Sequence, residues 1–329
     1  MPIDETLSRF SDWSFTTAAA IYVLALVFFL IEQSFGAKGR QAAERQKQRV
    51  RELAGAGGPS VTVIEPATPA TPAAPVQGGR AERIGKMGAA LLVLGVLMHF
   101  AALLLRGLAT HRVPWGNMYE YGMAVTFVAM VTWLVVIKKF DVRHLSGFML
   151  LPVVILMFVD GTMLYTVAAP VQPALQSYWL VIHVAAAASS AGLFLVPGVA
   201  SVLYLFRSAH DRNPAKFPRF GPKLPSADIL DRIAYRTTII AFPIFTFGVL
   251  CGAVWAEAAW GRFWGWDPKE TVAFIAWVIY AAFLHSRATA GWRGTRAAVI
   301  NVIGLSATVF NLFFINLVTT GLHSYAGVG

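Results

Sequence analysis

Residues 193–206 read LFLVPGVASVLYLF, fourteen positions with no charge and only one hydroxyl outside the tyrosine. A stretch this apolar, lying inside a longer run from 178 to 206, fits the interior of a bilayer, which takes about 20 apolar residues per helical crossing. IYVLALVFFLI at 21–31 has the same character. Working outward from these two, eight segments qualify: 16–35, 88–105, 118–137, 147–168, 178–206, 234–256, 270–286 and 298–319. The composition agrees, with 57% hydrophobic and only 13% charged residues, where soluble domains carry about a quarter charged. The expected fold is an all-α polytopic membrane protein of about eight transmembrane helices.

The net charge of +10 reads as topology rather than nucleic-acid binding. An eight-span arrangement puts 22 of the 27 Lys and Arg on one side, in segments 36–86, 138–146, 207–236 and 287–297. Only Arg9, Arg106, Arg112, Arg262 and Lys269 fall on the other. Basic loops stay in the cytoplasm, so both termini and the tryptophan-rich stretch at 260–266 are expected outside. The first span follows an acidic segment with Asp4, Glu5 and Asp12, the reverse of a signal-peptide n-region, so residues 1–36 read as an uncleaved anchor. A basic and Pro/Ala-rich linker occupies 37–86, and 87–329 form one seven-helix unit. The single cysteine, Cys251, supports neither an internal disulfide nor a CxxC couple. Any thiol chemistry belongs to another protein.

An ionisable residue inside a membrane segment is a functional-site candidate. Four of the seven histidines lie on four different spans. His183 and His323 fall near the outer ends of the fifth and eighth, whereas His99 and His285 fall within the second and seventh. Imidazoles supplied in pairs by different helices suit axial ligation of haem iron. Zinc competes less well, because it wants three or four closely spaced ligands. Arg106, Arg112, Arg262 and Lys269 are the cations available to haem propionates on the outer side. By helical rise the depths of His99 and His285 differ. Either the two straddle a tilted haem, or one span boundary lies elsewhere.

Residues 260–270, WGRFWGWDPKE, divide in two. DPKE starts a helix, with Asp267 as N-cap, Pro268 at the first helical position and Glu270 closing a capping box. WGRFWGW presents Trp260, Trp264 and Trp266, with Gly261 and Gly265 permitting tight turns. Trp133, Trp179 and Trp255 are read as an interfacial aromatic belt.

The whole of WGRFWGWDPKE closely resembles the tryptophan-rich "WWD" signature of haem-handling proteins. PWGNMYEYG (114–122), APVQPALQSYWLVIHV (169–184) and GLHSYA (321–326) resemble motifs of the CcsA/ResC group of cytochrome c biogenesis proteins, also called CcsB in some lineages. The resemblance implies that His183 and His323 ligate haem b beside Trp260, Trp264, Trp266 and Asp267, while His99 and His285 receive haem from the cytoplasmic side. It also implies haem transport across a bacterial cytoplasmic membrane and attachment to the CxxCH site of an apocytochrome c. The chain would then be a subunit of a haem lyase or synthetase that acts by positioning. The implied partners are a ResB-type membrane protein and, indirectly, thiol-reducing proteins. Two alternatives stay open: CcmC-like haem delivery without ligation, and a b-type electron-transfer cytochrome.

Overall fold

In a computed structural model, residues 3–55, 78–171, 175–289, 292–319 and 321–323 are described, those from 35 to 55 as backbone only. Most of the Pro/Ala-rich stretch, 172–174 of the 169–184 motif, and the end of GLHSYA lie outside the described residues. Eight long α-helices make up the described chain: α1 (Glu5–Gly55), α2 (Gly78–Thr110), α3 (Met118–Lys139), α4 (Ser146–Thr162), α5 (Tyr178–Arg212), α6 (Ala227–Trp260), α7 (Pro268–Ala288) and α8 (Thr295–Leu317). All eight are long and apolar enough to cross a membrane, α1 through its Glu5–Ser34 portion. The eight expected spans are therefore present. The basic tract after residue 35, read as the start of a linker, continues α1 to Gly55. Large apolar side chains such as Ile155, Phe158 and Leu250 stand exposed on the bundle exterior, as expected where the solvent is lipid.

The first four helices pack among themselves. On α1 the buried positions include Ser11, Phe15, Ala18, Tyr22, Ala25 and Phe29. On α2 they include Leu92, Gly95, His99, Ala102, Arg106 and Ala109. Both sets alternate steps of three and four, the seam of a left-handed helix pair. Gly95 lets the backbones close in, because a Cβ there would sit 2.5 Å from the Tyr22 ring. Small residues at such positions are how membrane helices gain close packing.

The last four helices are organised around α5, which also packs against α3. α5 runs 35 residues through Pro197 without interruption, about 52 Å at the helical rise. Its partner α6 approaches closely because Gly248 faces Ala186, where a Cβ would be 3.2 Å from the alanine methyl. α6 ends at Gly261 in the left-handed region, φ 69°, the usual glycine stop. α7 begins at once with the expected capping box: Asp267 accepts from the Lys269 amide, and Glu270 accepts from the Asp267 amide at 3.1 Å each. The short 261–267 loop is thereby fixed between two helix ends.

Candidate functional site

Helices α3, α5, α6, α7 and α8 enclose a cavity at the end of the bundle that carries the tryptophan stretch. It holds about 1460 Å³ of empty space including its open mouth. His183, Trp255, Trp260, Trp264, Lys269, Asn311 and His323 are among its lining residues.

Each of the two histidines is held from behind. His183 Nδ1 lies 2.7 Å from the Gly248 carbonyl, and an acceptor there requires the N–H on Nδ1. Gly252, one turn further along α6, leaves room for the ring, since a Cβ would sit 2.6 Å from Nδ1. His323 Nδ1 lies 2.8 Å from Asp267 Oδ1. The other oxygen of Asp267 accepts the Leu322 amide at 2.9 Å, which ties the chain after α8 to the start of α7. Gly321 permits that approach, because a Cβ would stand 2.6 Å from Asp267 Oδ2. A ring nitrogen bonded to a carbonyl or carboxylate fixes the tautomer, so that a metal bond would form through Nε2.

The charges suit this arrangement. Burial pushes the Asp267 carboxyl up, but hydrogen bonds from Leu322, His323 and Lys269 outweigh it and hold the group below the usual carboxylate range. Burial, with Lys269 and His183 nearby, pushes His323 down to about 4 against the pull of Asp267. The imidazole is then neutral at physiological pH, the form in which histidine ligates.

Trp255 was read above as part of a belt; it is instead 2% exposed and lines the cavity. Its ring stacks on His183 at 6.2 Å and 10°, and meets Trp260 and His323 edge-on at 4.7 and 6.1 Å. Gly248, Gly252 and Trp255 stand at i, i+4 and i+7 on α6, one helix face. That spacing was the available signal. Trp133 is also no belt residue: it is buried and donates to Ser146 Oγ at 2.9 Å. Trp179, 40% exposed, remains compatible with an interfacial position.

The structure brings His183, His323, Trp260 and Trp264 to one cavity, with Asp267 behind His323. Trp266 is 65% exposed and meets Trp264 and Phe274 edge-on at 5.7 and 6.1 Å. The tight turn before α7 is carried by Trp266 itself, at φ 57°, and not by Gly265. A non-glycine residue in that region is strained and tends to mark functional sites.

The membrane histidines are not brought together. His99 is fully buried, with Phe15, Tyr22 and Phe127 edge-on around it at 5.6–6.0 Å. Its ring makes no close hydrogen bond, only a weaker contact with the Met123 backbone. His285 is exposed on α7, which packs against α6 and α8.

A buried charge cluster closes the α3 side. Glu120 and Arg106 are both fully buried. Glu120 takes Arg106 at 3.1 Å, Arg112 at 2.6 and 3.0 Å, and the Gly116 amide at 2.7 Å. Arg106 also donates to the Thr166 carbonyl, and Arg112 to Ala169 at 3.1 Å. The cluster fixes the turn that presents Trp115, Gly116 and Asn117 to the cavity. Among the described residues, no three His, Cys, Asp or Glu side chains are grouped to hold a metal ion.

Residues 115–323 match the family model described as cytochrome C assembly protein; the match begins and ends on cavity-lining residues. The chain is 35% identical over 246 residues to the cytochrome c biogenesis protein CcsA of Chlamydomonas reinhardtii, covering 73% of this chain and 67% of that one. It is 32% identical over 259 residues to CcsA of Mesostigma viride, covering 70% and 85%. Against CcsA of Parasynechococcus marenigrum it is 37% identical over 178 residues, covering 48% and 58%. In fold it is similar to the solved cytochrome c haem lyase CcmF, with a TM-score of 0.57 at 18% identity, over 94% of this chain and 47% of that one. The chain belongs to the cytochrome c assembly family as a CcsA-type, multi-pass membrane protein of cytochrome c biogenesis.

Proposed function

We propose that this protein binds haem b between His183 and His323 and presents it to the CxxCH site of an apocytochrome c on the outer face of the membrane. One observation carries the reading: both histidines line one aromatic cavity, each with Nδ1 already held by an acceptor. That is the preparation an axial ligand needs. The charge asymmetry of the loops supports an outward-facing cavity and, with the family, a bacterial cytoplasmic membrane; relatives in algae show that organellar membranes also host the family.

Haem attachment adds each cysteine S–H across a haem vinyl group: sulfur bonds to one vinyl carbon and hydrogen to the other, with no net redox change. No protein nucleophile is required. The contribution of this chain is placement, a term that can be worth several kcal/mol. Trp255, Trp260 and Trp264 supply flat apolar walls for the macrocycle, and the open mouth admits the apocytochrome segment. A ResB-type partner and external thiol reductants complete the proposed assembly. Movement of haem through the membrane past His285 and His99 is a separate element of the proposal. It requires the aromatic cage around His99 to open.

The experiment is co-expression with a reporter apocytochrome bearing CxxCH. Wild type yields covalent haem on the reporter, while His183→Ala and His323→Ala give little or none at equal membrane abundance. Full attachment in both variants would contradict the proposal.

A further inference from the structure

Four outer-side cations could meet a carboxylate, and the structure separates them. Arg106 and Arg112 are committed to Glu120. Arg262 lies over Trp260 and 3.6 Å from Glu270, outside the cavity lining. Lys269 alone of the four lines the cavity. Its Nζ donates to Asn316 Oδ1 at 2.5 Å. Asn316 is held in turn, because its own amide donates to the Leu312 carbonyl at 2.6 Å. Asn311, also lining the cavity, ties the same corner by donating to the Lys269 carbonyl at 3.3 Å.

This ammonium therefore has a neutral hydrogen-bond partner; Asp267, already bonded to His323 and Leu322, attracts it only at longer range, and among the described residues no carboxylate is in ion-pair contact. Glu270 lines the same cavity, but its Oε2 accepts the Gly265 and Asp267 amides at 2.9 and 3.1 Å. A partly buried ammonium facing an apolar aromatic cavity is costly unless a counter-charge arrives. The walls select a flat apolar body, and this one corner selects an anion on its edge.

We propose that Lys269, oriented by Asn316, is the carboxylate subsite of the cavity and takes a propionate of the bound porphyrin. This rests on the haem-binding reading above and sets the orientation of the macrocycle within it. With one propionate anchored at the α7–α8 wall, only one edge of the ring is presented at the mouth. Lys269 is thus a specificity-determining residue for acidic over esterified porphyrins.

The test uses the purified full chain with two metal-free probes, protoporphyrin IX and its dimethyl ester, read by quenching of tryptophan fluorescence. Wild type should prefer the acid by about tenfold, the scale of one charge-assisted hydrogen bond. Lys269→Gln should abolish the preference by weakening the acid alone, Lys269→Arg should keep part of it, and Arg262→Gln should keep it all. Equal binding of both probes by wild type overturns the proposal. So does a Lys269→Gln protein that keeps the preference, or one that loses acid and ester alike. The probes carry no iron, so His183→Ala should leave the preference intact while changing the haem spectrum. An unchanged haem spectrum would overturn the ligand assignment separately, and a wild type that binds neither probe overturns both.

Discussion

The two halves of the bundle handle buried polar groups in opposite ways. Among the first four helices these groups are largely spent on one another. Arg106 and Arg112 neutralise Glu120, Arg143 meets Glu32, and Trp133 bonds Ser146. His99 there is walled in by aromatic rings. Among the last four helices Asn301 bonds Thr238 in the same way, but at the tryptophan end the polar groups are bonded from behind and ring an open space. His183 and His99 share a residue type and a membrane-helix setting, yet only His183 has both a held nitrogen and a cavity in front. A histidine in a membrane helix becomes a ligand candidate through those two conditions together.

That contrast can be broken experimentally. The largest effect is expected at Asp267. Asp267→Asn removes the carboxylate behind His323, and a hydrogen-bond partner behind a metal-binding imidazole is worth about 10–100-fold in metal affinity. Haem titration of the purified variant checks this. An unaltered affinity would mean that the His323–Asp267 contact serves the fold alone.

The next effect is a pH dependence. The folded value for His323 is about 4, below its ordinary value of about 6.5. The folded state therefore binds fewer protons than the unfolded one between these limits. Stability drawn from neutral His323 is present above about pH 6.5 and is lost as pH falls toward 4. Ferric haem ligation should accordingly show no titration between about pH 8 and 5. A midpoint near 6.5 would show that His323 is solvated and unheld.

The smallest effect is expected at His99. Because its ring lines no cavity, His99→Leu should leave the affinity of purified protein for added haem within about twofold. A larger loss would erase the distinction between the two halves. It would also mean that the haem-loaded form opens the α1–α2–α3 core.

Much of this was legible in the residues. Bilayer thickness fixes the length of an apolar run, so eight spans could be counted from segments such as 193–206 without knowing how they pack. The capping box at Asp267–Glu270 is local chemistry, and it formed as written. Packing was less legible. The three–four seam of α1 and α2 is masked because their lipid-facing sides are apolar too, which flattens the amphipathic signal. Trp255 joined the site because of which α6 face meets α5, a relation between distant segments. The pairing of Arg106 and Arg112 with Glu120 is likewise tertiary. Trp266 stands exposed at a positive φ that no residue type in the stretch announces.

The most direct measurement is the optical spectrum of the haem-loaded protein, wild type beside His183→Ala and His323→Ala. Paired axial histidines give wild type a low-spin b-type spectrum, and each substitution should convert or abolish it. Identical low-spin spectra in all three proteins would contradict the account, because the iron would then be held elsewhere.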